Sequence, residues 1–311
     1  MTTSMKERIR ALAPKVSNWG RWGADDERGT MNFVTPDVLR GAAALVRRGV
    51  VFSLALPLDG DGPQFGQGGR VNPVHVMTSL FNPMSADPEG VRYSDDFIMM
   101  PLQCATQWDS LAHVHYGGQL YNGHPMSSIT PAGASRNGID KMRTGVVSRG
   151  VLLDLARVQG VDRLAPGQVI RPADLEAAET RQGVRVRSGD VLLVRTGHMR
   201  CFTIDRDRVA YMRQMPGLGV DCVEWLHARE VAAVASDTNM VEVYPLEDPA
   251  VMLPLHMLCI RDMGLTLGEM FDLEALAQDC ADDGVYEFLF SAPPLVVTGG
   301  TGSPINPLAV K

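Results

Sequence analysis

The chain has 311 residues, 45 % of them hydrophobic and 21 % charged, with a formal net charge of −7. That apolar share suffices for a sizeable core, and an acidic balance without a run of five basic residues argues against a nucleic-acid partner, which would need a clustered cationic footprint. No apolar stretch approaches the ~20 residues that cross a bilayer, and the opening Met1-Thr2-Thr3-Ser4 segment lacks the apolar centre of a signal peptide, so no membrane partner and a cytoplasmic location are expected.

Residues 5–16 read as a short amphipathic helix. The following turn-rich segment, 17–30, carries Trp19 and Trp22, which are costly to leave in water. It either covers the domain's own core or serves as a lid or subunit contact, so residues 1–35 are expected to form an N-terminal arm. An aromatic loop that needs a covering surface also predicts a homo-oligomer, a dimer or tetramer. Thr35-Pro36 has the form of an N-cap with proline at the first helical position. It predicts a helix over 36–48 that ends at Arg47-Arg48-Gly49. A strand over 50–58 follows, then long loops over 59–73 and 82–96 with His75 on a short apolar strand between them.

Residues 103–115, Gln-Cys-Ala-Thr-Gln-Trp-Asp-Ser-Leu-Ala-His-Val-His, hold two amides, a carboxylate and two imidazoles. Read as a strand running into a loop, Gln103, Ala105, Gln107 and Asp109 share one face, and His113 returns over the same point. Trp108 and Leu111 face the other way. An exposed strand edge with solvated side chains is the plain alternative.

Further along, strands are expected over 142–154, 190–196 and 231–236, the last two continuous and apolar enough to be buried on both faces. Helices are expected over 170–182, 207–214, 219–229 and 271–277. Strands over 286–293 and 294–298 close the sheet, and 299–304 reads as a turn. His198 follows the 190–196 strand as a candidate pocket lining, with Trp19, Trp22 and Trp108, and these aromatics hint at an apolar small-molecule substrate. Gly299-Gly-Thr-Gly302 lacks the Gly-Lys-Ser/Thr of a phosphate loop, and no Gly-x-Ser-x-Gly elbow occurs. Cys104, Cys201, Cys222, Cys259 and Cys280 are scattered, which fits neither a disulfide framework nor a structural zinc site. Neither a linker nor an internal repeat interrupts the chain, so one domain over 1–311 is expected.

The 103–113 segment resembles His-x-Gly-Thr-His-x-Asp-x-Pro-x-His, the signature of the cyclase family that includes kynurenine formamidase and isatin hydrolase. Thr106, Asp109 and His113 match it. Gln103 and Gln107 stand where the family has its two metal-binding histidines, Ala105 replaces glycine, and Leu111 replaces proline. Arg149–Asp154, Ser188–Gly197, Ser236-Asp237-Thr238, His256, Gly268-Glu269-Met270 and Gly302-Ser303-Pro304 resemble its later blocks in order, as Asn18–Gly23 resembles the opening of its longer bacterial members. The resemblance implies a single α/β domain with a twisted, mixed central sheet flanked by helices. It also implies a divalent metal site drawn from Gln103, Gln107, Asp109 and His256, with His113, Asp109 and Glu269 as catalytic groups and His113 as the proton relay.

Amide oxygens are poor zinc ligands and better ones for harder ions, so a Mn²⁺-like ion is expected over Zn²⁺. Three activities follow as alternatives. One is a metal-assisted hydrolase of a cyclic or aryl amide, imide or lactone. Another is a metal-free cyclase, dehydratase or isomerase using Asp109 and His113. The third is a non-catalytic small-molecule-binding protein.

Overall fold

Apolar runs along the chain become the strands of one curled sheet. In the computed structural model, which describes residues 4–311, the strands longer than two residues are β1 (Val51–Ser53), β2 (Val74–Pro83), β3 (Arg92–Met99), β4 (Gln107–Asp109), β5 (Val147–Asp154), β6 (Val191–Arg195), β7 (Ala233–Ser236), β8 (Thr266–Glu269), β9 (Glu287–Ser291), β10 (Gly302–Pro304) and β11 (Leu308–Val310). Residues 1–3, the start of the arm expected over 1–35, lie outside the described residues. Of these, all but β2 and β3 join a nine-stranded sheet in the order β1-β11-β9-β5-β6-β7-β8-β4-β10, and two further two-residue ribbons, Ile129–Thr130 with Gly133–Ala134 and Val169–Ile170 with Gly217–Leu218, lie outside it. The central run β5-β6-β7-β8 is parallel, and the flanking pairs are antiparallel.

The order of the last two strands forces the curvature. β10 sits at one edge and β11 next to the other, yet only residues 305–307 separate them. In a flat sheet, seven strand spacings of ~4.8 Å would put them ~34 Å apart, whereas four Cα steps reach at most ~14 Å. The sheet therefore wraps until its two edges approach. This is the mixed, twisted sheet with flanking helices expected from the sequence.

Strand alternation divides the core in two. Val151, Leu153, Leu192, Val194, Val234 and Leu267 point outward, under helices α1 (Met5–Val16), α3 (Pro172–Gln182) and α4 (Cys222–Ala228). Leu152, Val191, Leu193, Ala233 and Ala235 point inward, against Trp108, Phe271, Phe288 and Phe290. α1 is a capped amphipathic helix: Ser4 and Glu7 form its capping box, and it buries Met5, Ile9, Leu12 and Val16 along one stripe. α5 (Glu274–Asp283) lies on the inner cluster through Leu276, Ala277 and Cys280.

Several boundaries differ from expectation for local reasons. Helix α2 (Pro36–Ala43) ends well before Gly49, because the amides of Arg48 and Val50 bond to the Lys311 carbonyl and the Arg48 guanidinium pairs with Asp279 and Asp283. The helix expected over 271–277 begins instead at Glu274. The loop expected over 82–96 is largely the β2–β3 hairpin. Residues 294–298 form no strand, since Pro293 and Pro294 have no N–H for a ladder. Gly302–Pro304, expected as a turn, is a strand paired to β4. Among the described residues no helix is long and apolar enough to cross a membrane.

Trp108 is fully buried, with its indole N–H donated to the Ala292 carbonyl at 2.9 Å and its ring against Phe271 and Phe290. Trp108→Ala should cost about 3–5 kcal/mol, the range for removing a large core aromatic, in reversible urea unfolding. A loss under 1 kcal/mol would place the ring outside the load it is assigned here.

Candidate active site

β4 carries the site because its alternation separates polar from apolar side chains. Trp108 enters the core, so Gln107 and Asp109 share the other face. β8 runs antiparallel to β4 with Glu269 directly opposite Gln107. The Gln107 amide nitrogen donates to Glu269 Oε2 at 2.7 Å and to Asp109 Oδ1 at 3.3 Å. His256 comes from the turn Pro254–His256, which leads into a π-helix (Met257–Met263); its Nε2 lies 3.3 Å from Glu269 Oε1. Asp109, His256 and Glu269 each present a donor atom, all within 4.8 Å of one another and all buried.

The backbone around these donors is constrained. Leu253, three residues before His256, and Met270, immediately after Glu269, adopt left-handed conformations at φ 53° and 59°. Such positions cost roughly 1–3 kcal/mol each and persist only where surrounding contacts over-determine them. At Met270 those contacts are its amide to the Thr238 carbonyl at 2.8 Å and its carbonyl to the Thr106 hydroxyl at 2.6 Å.

Sequence reasoning missed Glu242. Its carboxylate accepts the His256 Nδ1 proton and the backbone amides of Leu255 and His256. This fixes the ring so that Nε2 faces the acidic pair. A carboxylate behind the far nitrogen is the usual second partner of a metal-binding histidine, but nothing in the local sequence marks this glutamate as that partner.

Charge in the pocket is tightly balanced. Burial pushes the Asp109 carboxyl up to about 6; His113 opposes that rise and Glu269 adds to it. Burial alone would push the His256 imidazole down, but Glu242 and Glu269 outweigh it and hold the ring at about 10. His113 stands at the mouth, its side chain 22 % exposed and its Nε2 3.7 Å from Asp109 Oδ1. Asp109 thus links the buried cluster to an imidazole that solvent reaches.

Other expected site residues lie elsewhere. Gln103 precedes β4 and donates its amide to the Thr301 hydroxyl at 3.2 Å, so it does not share the Gln107–Asp109 face. Trp108 is core rather than pocket wall. His198 is buried, stacked on Tyr211 with Nε2 2.9 Å from the Tyr211 carbonyl, which makes it a packing residue. Trp19 donates to the Arg261 carbonyl at 2.8 Å beneath the Arg261 guanidinium, and Trp22 packs edge-on against Phe33. Both cover their own chain rather than line the cluster. Asp237 brackets the ends of β6 and β7 by accepting from Thr196 and Gly197.

The residues present fit a divalent cation. Two carboxylates and one imidazole converge, the imidazole is backed by Glu242, and two buried oxygens, Gln107 Oε1 and Asp109 Oδ2, have no hydrogen-bond partner. Oxygen-rich donors with a single nitrogen suit a harder ion better than a thiophilic one.

Comparison with known proteins bears on the family and the fold. The profile of the Cyclase family, described as "Putative cyclase", matches residues 52–243. A solved structure described as a novel cyclase is 41 % identical, with a TM-score of 0.88 over 96 % of this chain and 99 % of that one. Isatin hydrolase A from Labrenzia aggregata, bound to benzyl benzoate, is 19 % identical, with a TM-score of 0.61 over 86 % of this chain and 94 % of its own. Isatin hydrolase A from Ralstonia solanacearum is 21 % identical, with the same TM-score of 0.61 over 89 % and 98 %. At that identity the two isatin hydrolases share the fold. No curated protein matches the sequence.

The raised His256 value has a thermodynamic consequence in chelator-treated protein. A folded-state pKa raised from 6.5 to about 10 contributes stability that is complete below the unfolded value and lost as pH rises through about 10. Glu242→Gln removes one of the two carboxylates that hold the proton. Urea unfolding should therefore show wild-type stability falling more steeply than the variant's between pH 7 and 10. Parallel curves would mean that the ring is not charged in the folded state.

Proposed function

The chain belongs to the Cyclase family, and from that premise we propose that it is a divalent-metal-assisted hydrolase of a cyclic or aryl amide, imide or lactone. The observation that carries the reading is the convergence of Asp109, Glu269 and His256 within 4.8 Å, beneath the partly exposed His113. The isatin hydrolases among the structural neighbours act on isatin, a cyclic amide, which is the reason for the substrate class.

Asp109, Glu269 and His256 through Nε2 would hold the metal, and Gln107 would join them by turning over its amide, whose oxygen has no hydrogen-bond partner. When bound, it would lower the pKa of water and polarise the substrate carbonyl. His113 Nε2 takes the proton of the attacking water and returns it to the departing nitrogen or oxygen. Asp109 lies beside that ring, its Oδ1 3.7 Å from Nε2. Glu242 keeps the His256 proton on Nδ1, leaving Nε2 free toward the cluster. Replacement of two imidazoles by Gln103 and Gln107 favours Mn²⁺ over Zn²⁺.

One contact favours a second reading. The Gln107 amide nitrogen donates to both carboxylates and ties them together with a neutral group, an arrangement that suits proton transfer by Asp109 and His113 in a metal-free cyclase, dehydratase or isomerase.

The test is turnover of a panel of cyclic amides, imides and lactones by Mn²⁺-loaded and chelator-treated protein. His113→Asn should lower kcat by ~10²–10⁴, the usual worth of a general acid–base group, while His115→Asn stays near wild type. Equal turnover by both variants would remove His113 from the mechanism. Full activity after chelation, with His113→Asn still impaired, would support the second reading.

A further inference from the structure

The loop over residues 59–73 carries a buried polar side chain that the cation cluster does not use. Gln64 is 2 % exposed. One residue clamps its backbone: Asn72 Oδ1 accepts the Gln64 amide at 2.8 Å, and Asn72 Nδ2 donates to the Gln64 and Gly60 carbonyls at 3.0 and 3.1 Å. A Cβ on Gly62 would stand 2.7 Å from Asn72 Oδ1, so glycine there leaves room for the clamp.

The side chain is oriented as firmly. Its Nε2 donates to the Cys104 carbonyl at 3.0 Å and directs its second hydrogen toward Met270 Sδ at 3.9 Å. Turning the amide over would set its oxygen against the Cys104 carbonyl, so the contacts decide which atom is Oε1. Both donors are thus used, while Oε1 is shut from solvent and has no hydrogen-bond partner among the described residues. A buried acceptor left unmade is costly, and a methionine would fill the same space without one.

Its position gives that oxygen a use. Cys104 lies just before β4, and Met270 follows Glu269 directly, so Gln64 bridges the two segments that deliver the cluster. Burial raises the Asp109 carboxyl, and Arg70, on the same loop as Gln64, is among the charges that oppose the rise. The inner side of the loop therefore faces the cluster.

We propose that Gln64 determines specificity: its Oε1 accepts the ring N–H of a cyclic amide or imide, which selects these substrates over lactones. The reaction itself rests on the hydrolase reading above; the choice among its substrates rests on Gln64. A cyclic amide carries an N–H beside its reacting carbonyl, where a lactone carries a ring oxygen. Facing Oε1, the first makes a hydrogen bond, and the second leaves the acceptor buried and unpaired against another oxygen. A site built to bond a substrate N–H or O–H rejects the analogue that lacks it for this reason. Entry to the oxygen runs under residues 65–70, where Gly66, Gly68 and Gly69 take left-handed backbone and a Cβ on any of them would meet nothing within 4 Å.

Calorimetry with two ligands of one shape separates this contact from steric fit: an aryl-fused γ-lactam, and the ketone in which CH₂ replaces its ring N–H. Mn²⁺-treated wild type should bind the lactam ~10–100-fold more tightly, the usual worth of a buried hydrogen bond whose loss leaves an acceptor unpaired. In Gln64→Met, of similar length but without the acceptor, the ratio should fall to near one through loss of lactam affinity, with ketone affinity kept. Equal affinities in wild type, binding of neither ligand, or a preference that survives Gln64→Met would overturn the proposal. The wild-type comparison decides even where the variant does not fold. Lactam preference that depends on Gln64, in a protein that turns over no cyclic amide or imide, would support the contact and refute the hydrolase reading instead. Where turnover is found, Gln64→Met should raise KM for amides and leave KM for lactones unchanged; equal effects on both would count against the assignment.

Discussion

The structure turns on burying two carboxylates, Asp109 and Glu269, within a few ångströms of each other. Such a pair is unfavourable in a low-dielectric interior unless something cationic or strongly donating stands between them. Within the chain, the Gln107 amide and the His256 ring supply that compensation, and Glu242 in turn holds the ring. Remove the ladder between β4 and β8 and the carboxylates separate, since Gln107 and Glu269 face each other only in that register. Left-handed backbone at Leu253 and Met270 is tolerated for the same end.

The curled sheet makes this placement possible. The parallel run β5–β8 brings its carboxyl ends together, the region where open α/β sheets hold their ligands, and Glu269 is the last residue of β8. Antiparallel β4 then crosses that end and delivers Gln107 and Asp109, while Trp108 locks the strand from the core side. One strand therefore serves both layers. Its polar face carries the chemistry, and its apolar face carries packing energy.

How much could be read beforehand follows from what local sequence reports. β6 and β7 were legible because burial on both faces gives continuous apolar runs. The shared face of Gln107 and Asp109 was legible from a period of two, and His256 and Glu269 came from the family resemblance. The β2–β3 hairpin escaped because hydrophobic periodicity reports a buried face, and this ribbon has none in its own chain. β10 escaped because Gly302-Ser303-Pro304 has turn composition and becomes a strand only by pairing to β4. Glu242 could not be found locally, since it meets His256 through the fold. Trp108 and His198 were misplaced for a common reason: an aromatic beside a site and an aromatic beneath it have the same sequence, and only burial separates them.

The central claim is that Gln107, Asp109, His256 and Glu269 form one cation-binding centre. Calorimetric titration of Mn²⁺ into chelator-treated protein tests it most directly. The account predicts one ion per chain, with proton release on binding because the cation competes with protons on Asp109 and His256, and loss of that site in Glu269→Gln. Unchanged stoichiometry and affinity in Glu269→Gln, or no saturable binding by the wild type, would contradict it.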